Sequence, residues 1–304
     1  MHNAFLFPGQ GSQYVGMGED FYNNSEYAQE TYNKASEILG FNLQEISFNG
    51  PDETLKETQY TQPAIFVHSI IMDKFLKDKD IKPDAVAGHS LGEFTALVSA
   101  GVLSFEDALR IVKVRSTEMA SAGKNSPGTM AAILGANNDQ LIIICKQEGV
   151  VVPANINAPG QIVISGEKKA IENAIITANE IGVRRALALN VSGAFHSPLM
   201  TPARQPLKEL MDSITFNDAK IPVFQNVSAS PMTNAAAIRD NILNQLENPV
   251  LWCDTILNLK QMGITDFYEV GPGKVLKGLN RRILPESTTI NCDKLEHLDA
   301  CEVL

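Results

Sequence analysis

One stretch limits the possible folds of this chain more than any other: Asp84-Ala85-Val86-Ala87-Gly88-His89-Ser90-Leu91-Gly92-Glu93-Phe94-Thr95-Ala96-Leu97. Its first half is apolar and uncharged after Asp84, as suits a buried parallel strand. Its second half puts Phe94, Leu97 and Val98 on one side of a helix that stops at Gly101. Between them lies Gly88-His89-Ser90-Leu91-Gly92, a G-x-S-x-G sequence. A strand that turns sharply into a helix strains the backbone of its central residue. Glycines two before and two after allow the close approach, and the Ser90 hydroxyl is left exposed at the helix N-terminus. The first helical N–H groups then face any oxyanion formed on an attacked carbonyl. The bland alternative is a glycine-rich turn with an incidental serine; the flanking strand and helix weigh against it.

The surrounding chain alternates short apolar strands with helices. Ala4-Phe5-Leu6-Phe7 reads as a first strand, and Pro8-Gly9-Gln10-Gly11-Ser12-Gln13 as the loop that ends it. That loop is neither a P-loop, since no Gly-Lys-Ser/Thr follows, nor G-x-G-x-x-G. It is either a plain turn or a donor of a backbone N–H to a site. Glu19 to Leu39 reads as helical, and Asp52 to Thr58 as a short helical piece. Thr61-Gln62-Pro63 reads as a helix start, with Pro63 at the first position. That helix carries Ala64, His68, Ile71, Met72 and Phe75 on one face, so His68 is expected to be a core histidine with a satisfied ring. A helix from Ser104 through about Ala122 buries Ala108, Ile111, Val112 and Met119, and Arg115 falls on that same face. An unpaired charge there costs several kcal/mol, so Arg115 is expected to have an anionic partner, structural or bound, or else to snorkel its charged end out to water.

From 124 to 191 the pattern is β-α-β-β-α-β, the ferredoxin-like order, with Asn157-Ala158-Pro159-Gly160 as the turn between its middle strands. The expected division is therefore a large α/β unit from 1–123 and 192–304, with a small inserted unit over 124–191. His196 lies in the loop that follows, between elements, where catalytic histidines tend to sit. Thr201 is expected to cap the next helix, with Pro202 at its first position. Ile221 to Asn226 and Asp266 to Val270 read as further strands, and the tail from Cys292 shows no clear pattern.

Composition narrows the function. The chain has 304 residues, of which 44% are hydrophobic and 20% charged, enough to bury a substantial core. The net charge of −10 argues against nucleic acid and anionic membranes as main partners. No apolar run reaches the ~18 residues a membrane helix needs, and the N-terminus lacks the basic region of a signal peptide, so a cytoplasmic protein is expected. Cys145, Cys253, Cys292 and Cys301 are scattered without a C-x-x-C pair, which favours free thiols over disulfides or a metal site.

Taken together, the chain resembles the malonyl-CoA:acyl-carrier-protein transacylases of fatty-acid and polyketide synthesis over almost its whole length. The motifs are Gly9-Gln10-Gly11-Ser12-Gln13, Gly88-His89-Ser90-Leu91-Gly92-Glu93, Arg115, Asn155-Ile156-Asn157-Ala158-Pro159-Gly160-Gln161, Gly193-Ala194-Phe195-His196-Ser197 and Glu269-Val270-Gly271-Pro272-Gly273. The resemblance implies an α/β fold: a hydrolase-like core with a parallel sheet and an inserted ferredoxin-like α+β subdomain. It implies Ser90 as nucleophile, His196 as general base, and the backbone N–H groups of Gln10 and Leu91 as the oxyanion hole. It further implies that Arg115 binds the malonyl carboxylate, that Asn157 and Gln161 lie near the acyl or pantetheine end, and that no cofactor or metal is needed. Where some relatives carry Gln, this chain has Leu251 in Pro249-Val250-Leu251-Trp252. A backbone carbonyl near that motif is expected to orient His196 in place of a triad acid. The implied partners are malonyl-CoA and an acyl carrier protein, with the chain a monomer. Arg184, Arg185, Lys274, Lys277, Arg281 and Arg282 are the candidate docking cations. Rival readings are a thioesterase or esterase with the same Ser-His site, a polyketide acyltransferase acting in trans with another acyl choice, and a non-catalytic docking module.

Overall fold

A computed structural model of the chain describes residues 3–301. The strands among them are β1 (Asn3–Phe7), β2 (Ala85–Gly88), β3 (Gly128–Leu134), β4 (Val151–Ala158), β5 (Gln161–Glu167), β6 (Arg185–Ala188), β7 (Val223–Phe224), β8 (Pro231–Met232), β9 (Asp266–Val270) and β10 (Thr288–Cys292). They form a six-stranded sheet in the order β10-β9-β1-β2-β7-β8 and a four-stranded sheet in the order β4-β5-β3-β6. In the larger sheet every pairing is parallel except β7 with the short edge strand β8. The smaller sheet is antiparallel throughout, and its β-α-β-β-α-β chain order is the ferredoxin-like arrangement.

The central strands are apolar without interruption because both of their faces are covered. Phe5, Phe7 and Val86 point into one core, under the helices Thr58–Asp78 and Phe105–Asn125. Their neighbours Ala4, Leu6, Ala85 and Ala87 point into a second, with Trp252, Ile256, Leu259 and Leu276. The small sheet has a core of its own around Ile133, Ile144, Ile162, Ile164 and Ile171. Its β4 edge is tied to the large sheet's side by hydrogen bonds from Ile156 N to Val250 O and from Val250 N to Ala154 O, both 2.9 Å. No helix among the described residues is long and apolar enough to cross a membrane.

Several local expectations are corrected. The segment from Glu19 to Leu39 is two helices, because Ser25 turns extended and caps the second by accepting from Ala28 N. The helix expected to open at Pro63 begins at Thr58, so Pro63 sits inside it. Thr201 does not cap: Ser197 caps a 3-10 turn, Pro198–Met200, that runs into the helix Thr201–Asp212. Asn157 and Ala158 belong to β4, which leaves Pro159-Gly160 as the turn. The strand expected over Ile221–Asn226 is only Val223–Phe224. Beyond Cys292 the chain is ordered into a 3-10 turn, Leu295–His297, and the helix Leu298–Cys301, while residues 302–304 lie outside the described residues.

What matters for the site is the parallel register. Phe7 pairs with Gly88, so β1 and β2 end side by side. The loops after β1, β2, β7 and β9 therefore emerge along one carboxyl edge, where open parallel sheets bind their ligands.

Candidate active site

The elbow follows from sterics. A Cβ on Gly88 would lie 1.9 Å from the carbonyl carbon of Gly92, and a Cβ on Gly92 would lie 2.0 Å from Phe7 O. Only glycine lets strand, turn and helix pass this closely. Ser90 between them has φ 52°, the left-handed region that a non-glycine residue enters only under constraint. Asn226, carried to the same edge just after β7, supplies the constraint. Its side chain donates to Gly88 O at 2.6 Å and accepts from Ser90 N at 2.7 Å, so one amide spans the elbow.

Ser90 Oγ lies 2.8 Å from His196 Nε2. The other ring nitrogen, Nδ1, lies 2.8 Å from the backbone carbonyl of Gln245. A carbonyl only accepts, so Nδ1 carries the proton and Nε2 is left bare to accept from the serine. The orienting carbonyl thus comes from Gln245, at the end of the helix Ala235–Asn244 and four residues before Pro249. His196 is 3% exposed; burial first, and then the Arg115 charge, push its pKa down to about 3. The imidazole is neutral, in its base form, throughout the physiological range.

Arg115 reaches this pair from the helix Phe105–Asn125. It is 1% exposed and donates to Ser90 Oγ at 3.1 Å, Gln62 Oε1 at 2.7 Å and Gln245 Oε1 at 2.8 Å. No carboxylate of the chain bonds it directly: the guanidinium is held by neutral oxygens, and its Nε–H has no partner. Burial lowers its pKa to about 10, which leaves it a cation. The nearest carboxylate, Glu93, stands one amide away, bonded to Gln245 Nε2 at 2.5 Å.

The N–H groups of Gln10 and Leu91 take no part in the turn hydrogen bonds that occupy their neighbours, such as Ser12 N to Gly9 O and Gly92 N to His89 O. Both residues line a cleft of about 210 Å³ together with Ser90 and His196. Asn157 and Gln161, from the small sheet, line the same cleft. Asn157 Oδ1 is 2.8 Å from His89 Nε2, and Gln161 Oε1 accepts from Arg282 at 2.7 Å. All seven residues singled out from the sequence therefore meet at this site or border it. Asn226, Gln245, Gln62 and the buried Glu93 were missed. Glu93 stands within a quoted motif, but a glutamate in the first turn of a helix reads as a partner of the helix dipole. His68 is a core histidine as expected, yet only Nε2 is paired, with Asp293, and Nδ1 has no partner.

The chain is similar to known proteins over nearly its whole length. The family model described as the acyl transferase domain matches residues 4–290. The malonyl CoA-acyl carrier protein transacylase of Bacillus subtilis is 46% identical over 292 residues, covering 94% of this chain and 92% of that protein. That of Synechocystis sp. is 43% identical over 300 residues, covering 99% and 100%. The crystal structure of the Synechocystis malonyl-CoA:ACP transacylase superposes with a TM-score of 0.92 at 42% identity, covering 99% of this chain and all of that one. A malonyl-transacylase solved in complex with a type II polyketide acyl-carrier protein gives a TM-score of 0.95 at 38% identity, covering 99% and 98%.

Proposed function

The chain belongs to the acyl transferase family, in its malonyl-CoA:acyl-carrier-protein transacylase branch, and from that premise we propose that it carries malonyl groups from malonyl-CoA to the phosphopantetheine thiol of an acyl carrier protein, in the cytoplasm, by way of Ser90. His196 Nε2 takes the serine proton as Oγ attacks the thioester carbonyl. The Gln10 and Leu91 N–H groups receive the oxyanion; losing one such donor typically costs about 2.7–4 kcal/mol. His196 then returns the proton to the departing thiolate. The carrier's thiol repeats the sequence in reverse on the malonyl-serine ester. No step calls for a metal, a redox group or a second copy of the chain.

The observation that carries this reading is the buried guanidinium 3.1 Å from the nucleophile. The malonyl carboxylate stands two carbons from the carbonyl that Ser90 attacks, so an acyl group with an anionic end at that reach suits a cation placed there. A guanidinium grips a carboxylate with two parallel hydrogen bonds, and the unpartnered Nε–H supplies one donor without breaking an existing bond.

The carrier's path is supported by charge. Lys274, Lys277, Arg281 and Arg282 are exposed on or beside the helix Val275–Ile283, whose Val275, Leu276 and Leu279 line the cleft. Arg282 holds Gln161, which pairs across β5 and β3 with Leu134; Leu134 pairs in turn with Arg185. At about 4.8 Å per strand, Arg185 joins the same face of the small sheet. That gives a chain of net charge −10 a local basic surface at the cleft mouth for an acidic carrier.

Intact-protein mass spectrometry tests the reading. Malonyl-CoA should leave one malonyl adduct on Ser90 that a carrier-protein thiol discharges much faster than water does. Equal discharge with and without the thiol would make the protein a hydrolase. Raising the salt concentration should raise KM for the carrier more than KM for malonyl-CoA.

A further inference from the structure

Glu93 is a second ionisable group in this site that the mechanism above leaves unused. It is 1% exposed, on the first turn of the elbow helix Gly92–Ser99. Three N–H groups point at its carboxyl: Gln225 Nε2 at 2.7 Å, Gln245 Nε2 at 2.5 Å and the backbone N of Asn226 at 3.3 Å. Gln245 faces both ways, accepting from Arg115 through Oε1 while donating to Glu93 through Nε2. The side chains form one chain: cation, amide, carboxyl. Among the elements packed against the elbow helix, β1 and β2 bring no charge. The Thr58–Asp78 helix brings Asp73 and Lys77, which pair with each other and with Ser99 at the helix's far end, and His68, which is held by Asp293. His196 stands beyond Ser90. Arg115 is the cation that faces Glu93.

We propose that Glu93, when ionised, is a counter-anion of Arg115 that competes with the substrate carboxylate, and that it must hold a proton for that carboxylate to occupy the guanidinium. Two carboxylates around one buried guanidinium leave an uncompensated buried anion, whereas one leaves a neutral site. The proton is taken from solvent onto a Glu93 oxygen, and no other bond changes. A protonated carboxyl needs an acceptor for its O–H, and one is at hand. Gln225 Oε1 is buried without a partner, so turning that amide end for end converts a donor to Glu93 into an acceptor. Burial already holds the carboxyl high, at about 8, against the opposing pull of its donors and of Arg115. Glu93 thus acts on acyl choice through Gln245, as a positioning residue.

The inference rests on the malonyl-transfer reading, and its test separates the two. The ratio of kcat/KM for malonyl-CoA to that for acetyl-CoA cancels the titration of His196 and of the departing thiol. In the wild-type protein the ratio should be constant at low pH and fall about tenfold per pH unit above about 8. In Glu93→Gln the fall at about 8 should vanish, leaving only the fall as Arg115, no longer held up by the Glu93 charge, loses its proton. A flat wild-type ratio between about pH 8 and about pH 10, or an unmoved midpoint in Glu93→Gln, overturns the inference. Should Glu93→Gln not fold, Glu93→Asp decides: a shifted midpoint supports it and an unshifted one overturns it. Absence of a malonyl adduct on Ser90 at any pH would instead sink the proposed function.

Discussion

Two buried histidines invite comparison. His68, on the buried side of the helix Thr58–Asp78, has its Nε2 2.9 Å from Asp293 O and 3.2 Å from Asp293 Oδ1. His196 has no acid bonded to it: the carbonyl of Gln245 is on one nitrogen and a serine hydroxyl on the other. By partner type, His68 looks more like a member of a triad. Yet its far nitrogen meets no nucleophile, and Phe21 closes over the ring at 4.7 Å between centroids. A base needs a nucleophile within reach and a cleft to receive substrate; the group behind the ring has only to hold the tautomer. A carbonyl does that without adding a negative charge, and its hydrogen bond offsets only part of the burial and the Arg115 charge that keep His196 neutral.

The comparison breaks first, and hardest, at the nucleophile and base. Ser90→Ala and His196→Ala should each lower malonyl transfer by up to about 10⁶, and the double variant hardly further, since the pair acts as a unit. A persistent malonyl adduct on Ser90→Ala, or a loss of similar size in His68→Leu, would erase the distinction. Next in size is Arg115. Arg115→Ala should lower the malonyl-to-acetyl ratio of kcat/KM by as much as about 10⁴, and Arg115→Lys should restore little, because a point charge cannot reproduce the fork. An unchanged ratio with a lowered melting temperature would make Arg115 structural only.

The pH profile sharpens the contrast on a smaller scale. A base with an ordinary histidine pKa would be about 25-fold less available at pH 5 than at pH 7. With His196 held at about 3, the rate of Ser90 loading should stay within about twofold from pH 7 to pH 5, and decline only as pH approaches the depressed value. An acid limb centred near 6.5 would contradict the geometry. The smallest effect on activity belongs to His68. His68→Leu should cost about 1–3 kcal/mol of stability, read as a shift in the denaturation midpoint, with loading rates within about twofold of wild type. Burial raises the Asp293 carboxyl, but its hydrogen bond to His68 and the His68 charge bring it below its ordinary value. Its share of stability is therefore present above about pH 4 and lost as pH falls through the depressed pKa. In His68→Leu that acid-dependent loss should shrink.

Much of this was legible in the chain. Uninterrupted apolar runs meant strands buried on both faces, and the glycines around Ser90 meant a turn too tight for any Cβ. The helical period put Arg115 on a buried face, and the β-α-β-β-α-β order meant an antiparallel insert. These are short-range matters of periodicity, sterics and chain order, which a linear sequence records. Ser90 and His196 were found because one lies in a local motif and the other in a loop between elements.

The groups around them are different. Asn226 stands 136 residues from the Ser90 backbone it clamps, and Gln245 stands 155 residues away. Neither carries a local signature, since an asparagine after a two-residue strand and a glutamine at a helix end are ordinary surface chemistry until folding buries them. Even Glu93, three residues from the nucleophile, reads as a helix-dipole partner until Gln225, Gln245 and Arg115 close around it. The sequence by itself determined the elbow and the two sheets and pointed to Ser90 and His196, because each follows from neighbours along the chain. Which carbonyl holds His196, which amides hold Arg115 and what shares its charge were decided only by the parallel register of β1, β2 and β7 and by the helix end that brings in Gln245. Hydrogen bonds and buried charges depend on distance in space, and the chain sets that distance only when it folds.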